Sequence, residues 1–163
     1  KNDTTRNMIA ETTWNLGGWN SSDIFSNVMY EKERGTTVIS NPSDGITRTT
    51  TWIGKIAVPY PSDYGYAADL SSCQETTGLY DNSTCTSTNW MYHIITNSGS
   101  KAGILLTPYS ASNSQVFIAN LNGSLQVSFV FGAGVVVPVL YLNSNQIIIG
   151  GDGSQNNPYQ LKA

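Results

Sequence analysis

From Asn82 to Gly151 the chain contains no carboxylate and a single formal charge, Lys101, while Asn, Ser, Thr and Gly occupy the polar positions. A fold built from such a stretch must keep its surface wet with neutral amides and hydroxyls. It also has few titratable groups to gather into an acid–base centre or a hard-metal site. Charged residues make up 12 % of the chain, against roughly 25 % in an average soluble domain, yet 39 % of residues are hydrophobic, too many for a disordered tract. The 163 residues fit one domain, residues 1–163, long enough to bury a real core. The neutral surface is a composition associated with extracellular surface proteins. With a net charge of -3 and eight scattered Lys and Arg residues, the chain has no basic stripe to hold nucleic acid.

Helix signals concentrate near the start. Asp3 or Thr4 caps a predicted helix running through Trp14 and ending at Gly17 and Gly18; Ser21 or Ser22 caps a second, ending at Gly35, with Ile24, Phe25, Val28 and Met29 on one face. From Thr36 to Ser114, short apolar islands such as Ile56 to Val58 and Ile104 to Leu106 are separated by Pro42, Pro59, Pro61 and Pro108, which reads as a long loop region. A loop of that size needs a pin or a function. Cys73 and Cys85 supply a pin, because they bracket a segment with the turn-forming residues Gly78, Asp81 and Asn82. A disulfide there implies an oxidising compartment. The competing reading is two free thiols or part of a metal site, to which His93 is the one available imidazole.

Strand signals follow. Val116, Ile118 and Leu121 lead into Asn122-Gly123, after which Leu125, Val127 and Phe129 alternate with Gln126 and Ser128, the signature of a hairpin. Val135 to Leu142 is apolar on both faces and predicts a buried strand with a bulge or margin at Pro138. Ile147 to Ile149 and a turn at Gly150 to Gly153 close the chain. Two short helices, a long loop region and a C-terminal antiparallel meander make an α+β order. The longest mostly apolar stretch, Val127 to Leu142, falls short of the roughly 20 residues of a spanning helix. Because Lys1 is not an initiator Met, the chain is expected to be an excised or processed fragment, with any membrane attachment in a preceding segment.

Candidate sites are few. Trp90, Tyr92 and Tyr109 lie among amides and hydroxyls such as Asn113, a mixture of flat apolar faces and adaptable hydrogen-bonding groups that suits a glycan or protein ligand. The alternative is that these aromatics form the small core of their own loops. A glycan-directed hydrolase would draw its carboxylates from Asp63 and Asp69, with His93 as a proton carrier. Turn-forming aspartates beside packed tyrosines explain the same residues more simply. The Gly150 to Ser154 segment lacks the Lys-Ser/Thr ending of a phosphate loop and the ligand set of a calcium loop, so neither a metal nor a cofactor is expected.

The phrases YEKERGTT from Tyr30, TWIGKIAVPYPSDYGYAAD from Thr51, LLTPYSASNSQVFIANLNGSL from Leu105 and VVPVLYLNSNQIIIGGDGSQNNPYQL from Val136 together resemble the ectodomains of pilin-like surface proteins of Gram-positive gut bacteria. The resemblance spans nearly the whole chain. It implies an extracellular, non-enzymatic adhesin or display domain, attached to a cell surface or pilus through an upstream helix, with a globular part similar to C-type-lectin-like folds. Two positions depart from the pattern, Ile104 where such proteins carry Trp and Val137 where they carry Arg before the proline. The Glu-Pro-Asn and Trp-Asn-Asp signatures of calcium-dependent lectins are absent. A hypervariable receptor domain on the same scaffold is a further possibility, with diversity expected between Pro108 and Val137.

Overall fold

The computed structural model describes residues 3–20, 25–36, 48–74, 85–154 and 156–162. Its first elements are α1 (Asp3–Asn7), β1 (Thr12–Asn15), α2 (Ser26–Glu33), β2 (Thr51–Gly54), β3 (Ile56–Ala57) and α3 (Pro61–Tyr66). A 3-10 turn, Thr86–Thr88, then leads into α4 (Trp90–Asn97). The strands β4 (Gly103–Pro108), β5 (Gln115–Ala119), β6 (Leu125–Phe129), β7 (Val139–Leu140), β8 (Ile148–Gly150) and β9 (Gln160–Leu161) complete the order. Four short helices and several small antiparallel sheets among the described residues make the fold α+β.

The core lies between helices and the three-stranded sheet β4-β5-β6. Strand alternation puts Leu105, Phe117, Ala119 and Leu125 on the inner face, and Ile104 and Ile118 on the outer. Met29 of α2, Tyr64 of α3, and Met91 and Ile95 of α4 pack onto that inner face, where Trp19 stacks on Phe117 with ring centroids 3.6 Å apart. Gly103 allows α4 to come this close, since a Cβ there would lie 2.5 Å from Ile95 Cδ1. The β5–β6 hairpin matches the sequence reading, pairing Phe117 with Val127 and Ala119 with Leu125. Gly123, in the connection, takes φ +85°, a left-handed conformation that glycine adopts without penalty.

A second layer forms where three chain segments meet. β1 pairs with β2, β3 pairs with β7, and Ile9 bridges to Leu142, so residues 9–15, 51–57 and 139–142 close a junction of short ladders. Here the expected first helix is corrected. It ends at Asn7, and Thr12–Asn15 is a strand in which Trp14 faces Trp52 and donates from its indole nitrogen to Gly54 O at 2.9 Å. Burial of Trp14 and the stiff, β-branched Thr12 and Thr13 favour the ladder over a helical turn.

The second helix ends near Gly35 as expected but starts at Ser26 with Phe25 as its N-cap, so Phe25 is not on the expected helical face; the proposed caps Ser21 and Ser22, and Ile24, lie outside the described residues. The long loop region is also corrected, because it contains α3, α4 and β4. Pro61 is the first residue of α3, where a missing N–H costs nothing, and Asp63 Oδ2 accepts Tyr60 N at 2.9 Å. Asn89 caps α4 by accepting Tyr92 N at 2.9 Å, and its amide donates to Tyr64 O at 2.7 Å, joining the two helices.

Val135 to Leu142 is not one buried strand. Val135 exchanges hydrogen bonds with Ala102 and Ile104 beside β4, Pro138 interrupts the ladder, and β7 crosses to β3, leaving Val136 and Leu140 exposed. The chain closes with β8 paired to β9, a strand the sequence reading did not include. The disulfide Cys73–Cys85 is present, with Cα atoms 5.3 Å apart, and its buried sulfurs pack with Ala68 just before α4. Gly78, Asp81 and Asn82 of the enclosed loop lie outside the described residues. No helix among the described residues is long and apolar enough to cross a membrane.

Candidate functional site

The phase of α4 sorts its side chains. With Met91 and Ile95 turned into the core, Trp90, His93, Ile94 and Asn97, spaced as i, i+3, i+4 and i+7, form one outward stripe. Trp90 is held at the start of the helix by its own N–H, which donates to Ala67 O at 3.2 Å, and its indole is 55 % exposed. This stripe and Ser98 make one wall of a cleft of about 770 Å³. The opposite wall is Gly153, Ser154 and Pro158, from the connection between β8 and β9.

That connection is shaped by Asp152. Its Oδ1 accepts Ser154 N at 2.9 Å and its Oδ2 accepts the Asn157 amide at 3.2 Å, which holds the carboxyl below the usual carboxylate range. Gly153 follows at φ +83°. His93 Nε2 lies 3.2 Å from Ser87 O; a carbonyl can only accept, so Nε2 carries the proton and Nδ1 is left as the ring's acceptor when neutral. The cleft thus offers an indole face, an aliphatic side chain, an amide, two hydroxyls and one imidazole. Among the described residues, no Asp, Glu, Lys or Arg lines it. Such a lining can stack on and hydrogen-bond a neutral ligand, but it supplies no paired carboxylates.

The acids whose titration is raised sit elsewhere. Glu33, the last residue of α2, is fully buried; its Oε1 accepts Ser62 N at 3.0 Å and its Oε2 accepts the Ser62 hydroxyl. Burial pushes its carboxyl up to about 7, against the opposing pull of the Ser62 hydrogen bonds. Arg34 reaches Oε2 at 3.5 Å while its guanidinium lies 3.4 Å above the Tyr30 ring and 5.2 Å from that of Tyr60. Tyr60 in turn donates its hydroxyl to Asn15 O and accepts Asn15 N. With no exposed surface, Glu33 cannot touch a ligand; it ties α2 to the first turn of α3.

The remaining sequence-predicted residues are dispersed. Asp63 is raised by burial and spends one oxygen on Tyr60 N, whereas Asp69 is exposed, held low by Ser71, and shapes a turn through Ser71 N at 2.9 Å. Neither is hydrogen-bonded to His93. Of the four proposed ligand residues, Trp90 alone lines the large cleft. Tyr92 packs against the core and donates its hydroxyl to Leu121 O, Tyr109 is edge-on to Phe117 at 5.8 Å, and Asn113 is exposed in the β4–β5 connection.

Ile94, Ser98 and Pro158 escaped sequence reasoning, whereas Asn97 is one of the amides it set beside Trp90, and Ser154 ends the Gly150 to Ser154 segment it read as a turn. The helical spacing after the capping Asn89 marks Ile94, and no local signal marks Ser98 or Pro158. No cluster of three metal-ligating side chains occurs among the described residues. No protein family, curated protein or solved structure matches the chain.

Proposed function

We propose that this chain is a non-enzymatic, extracellular domain of a cell-surface or pilus-associated protein, pilin-like in context and C-type-lectin-like in architecture, that displays a binding cleft for a glycan or protein ligand. The observation that carries this reading is the wide cleft between α4 and the β8–β9 connection, with the half-exposed Trp90, neutral polar groups and, among the described residues, no formal charge on its walls. Aromatic faces flanked by amides and hydroxyls bind through apolar contact and oriented hydrogen bonds, without a reaction to accelerate. The disulfide supports export to an oxidising compartment.

The test is a glycan and protein binding screen with the wild type and Trp90→Ala. Trp90 contributes little to the core, so the variant should retain its urea midpoint while losing more than tenfold in affinity for any ligand detected. Equal affinity in the two proteins would remove the cleft as the binding surface. Turnover of a screened glycan, abolished by His93→Ala, would replace the binding reading with an enzymatic one.

A further inference from the structure

Trp90 lines a second cavity besides the large cleft. It is smaller, about 280 Å³, and is lined by Asp63, Tyr66, Ala67, Trp90, Met91 and Val139. Its chemistry is different: the walls are two aromatic rings and three aliphatic or thioether side chains, and a carboxylate is among them. Asp63 gives Oδ2 to Tyr60 N, and among the described residues no hydrogen bond reaches Oδ1.

We propose that this cavity receives a lysine side chain of a partner protein, with the ammonium between Asp63 and the faces of Trp90 and Tyr66, and the methylene stem against Ala67, Met91 and Val139. An ammonium is attracted both to a carboxylate and to the negative face of an aromatic ring. The apolar walls match the four-carbon stem of lysine, which buries along apolar surface while its head stays polar. An amino sugar fits less well. Its ring hydroxyls would meet walls whose polar side chains, among the described residues, are those of Asp63 and Tyr66.

The charges around Asp63 favour a cation. Glu33 and Arg34 are its close ionisable neighbours, and one guanidinium does not balance two carboxyls when both are ionised. Burial that disfavours an isolated carboxylate at Asp63 is also relieved by an arriving positive charge.

The inference rests on the reading of the domain as a binding module and names the partner chemistry of a neighbouring site. Nα-acetyl-lysine methylamide is titrated into isotope-labelled protein at pH 7.5, with the indole N–H of Trp90 and the amide of Met91 as reporters. Nα-acetyl-norleucine methylamide, which has the stem without the ammonium, is the control, and glucosamine is the third probe. The lysine probe should move both signals with saturation, the norleucine probe should not, and Asp63→Asn should weaken the lysine probe at least tenfold.

Asparagine keeps an acceptor for Tyr60 N, so the α3 cap survives, and an unchanged urea midpoint verifies it. Trp90→Phe, which shrinks the aromatic face, should weaken the probe several-fold without touching the cap. Equal shifts from lysine and norleucine, unchanged lysine affinity in Asp63→Asn, or glucosamine binding as well as lysine would each overturn the proposal. Ligands of the large cleft should be indifferent to Asp63→Asn, so failure of one site is distinguishable from failure of the other.

Discussion

Replacing Glu33 with Gln removes a titratable group from the buried junction of α2 and α3 while leaving its shape and most of its hydrogen bonding. In the folded chain the carboxyl is pushed up to about 7, from 4.5 in an unperturbed chain. At about 1.4 kcal/mol per unit, the difference is worth about 3 kcal/mol. Its sign follows from proton binding. The folded state holds the proton more tightly, so the contribution is fully present below about pH 4.5, declines as the pH rises, and is gone above about pH 7.

Glutamine is neutral throughout. Its carbonyl can accept Ser62 N, as Oε1 does, and its amide can donate to the Ser62 hydroxyl, which then turns its own proton away. The difference in unfolding free energy between wild type and Glu33→Gln should therefore shift by about 3 kcal/mol in favour of the variant between pH 4.5 and pH 7.5. Asp69 and Asp152, both depressed, act with the opposite sign, stabilising above their unfolded titration range and losing that effect as the pH falls; they are common to both proteins and cancel. Asp63 feels Glu33 electrostatically and cancels only in part, which trims the shift. Urea unfolding followed by tryptophan fluorescence across this range measures it. A difference that stays constant with pH to within about 0.5 kcal/mol would show that Glu33 is solvated as in an unfolded chain and does not tie α2 to α3 as a buried group.

Asn89→Ala removes the α4 cap and the donor to Tyr64 O from a fully buried position, and should cost about 2 kcal/mol in urea unfolding. The paired change Cys73→Ser and Cys85→Ser opens a loop spanning a separation of 12 residues and should lower stability by roughly 3 kcal/mol, with wild type under reducing agent falling to the same value. Phe117→Ala deletes the ring that Trp19 stacks on and Tyr109 meets edge-on, and should cost about 3–5 kcal/mol by calorimetry.

The β5–β6 hairpin was legible because two local signals agreed: alternation at period two, and an Asn-Gly pair where a glycine takes positive φ. The disulfide was legible for a similar reason, since turn residues lie between its cysteines. The helices α3 and α4 were hidden by their own start signals. Pro61 looks like a breaker until it is placed at the first helical position, and Asn89 looks like a surface amide until its side chain is seen on Tyr92 N. Trp14 and Val135 to Leu142 failed for a tertiary reason: their partners are distant in sequence, and the partners set their conformation.

The candidate cleft shows the same division. Trp90 is marked by its chemistry, and Tyr92, marked equally, turns inward because a helix rotates it by two positions. The opposite wall comes from a turn near the C-terminus that carries no motif.

Scarce charge has a further structural consequence. Each of the four described carboxylates whose titration is displaced accepts a backbone N–H: Glu33 from Ser62, Asp63 from Tyr60, Asp69 from Ser71 and Asp152 from Ser154. Two serve the first turn of α3 and two shape surface turns. Anions placed on exposed peptide donors at helix starts and turns supply local order that a longer helix or a wider sheet would otherwise provide. In a chain of very short elements that use is well matched to need, because short helices and two-stranded ladders are marginal without such fixtures. Among the described residues the walls of the large cleft carry no formal charge, so the proposed recognition there would depend on shape, stacking and neutral hydrogen bonds. Asp63 differs in that one oxygen serves the α3 cap while, among the described residues, no hydrogen bond reaches the other, and the residue lines the smaller cavity with Trp90.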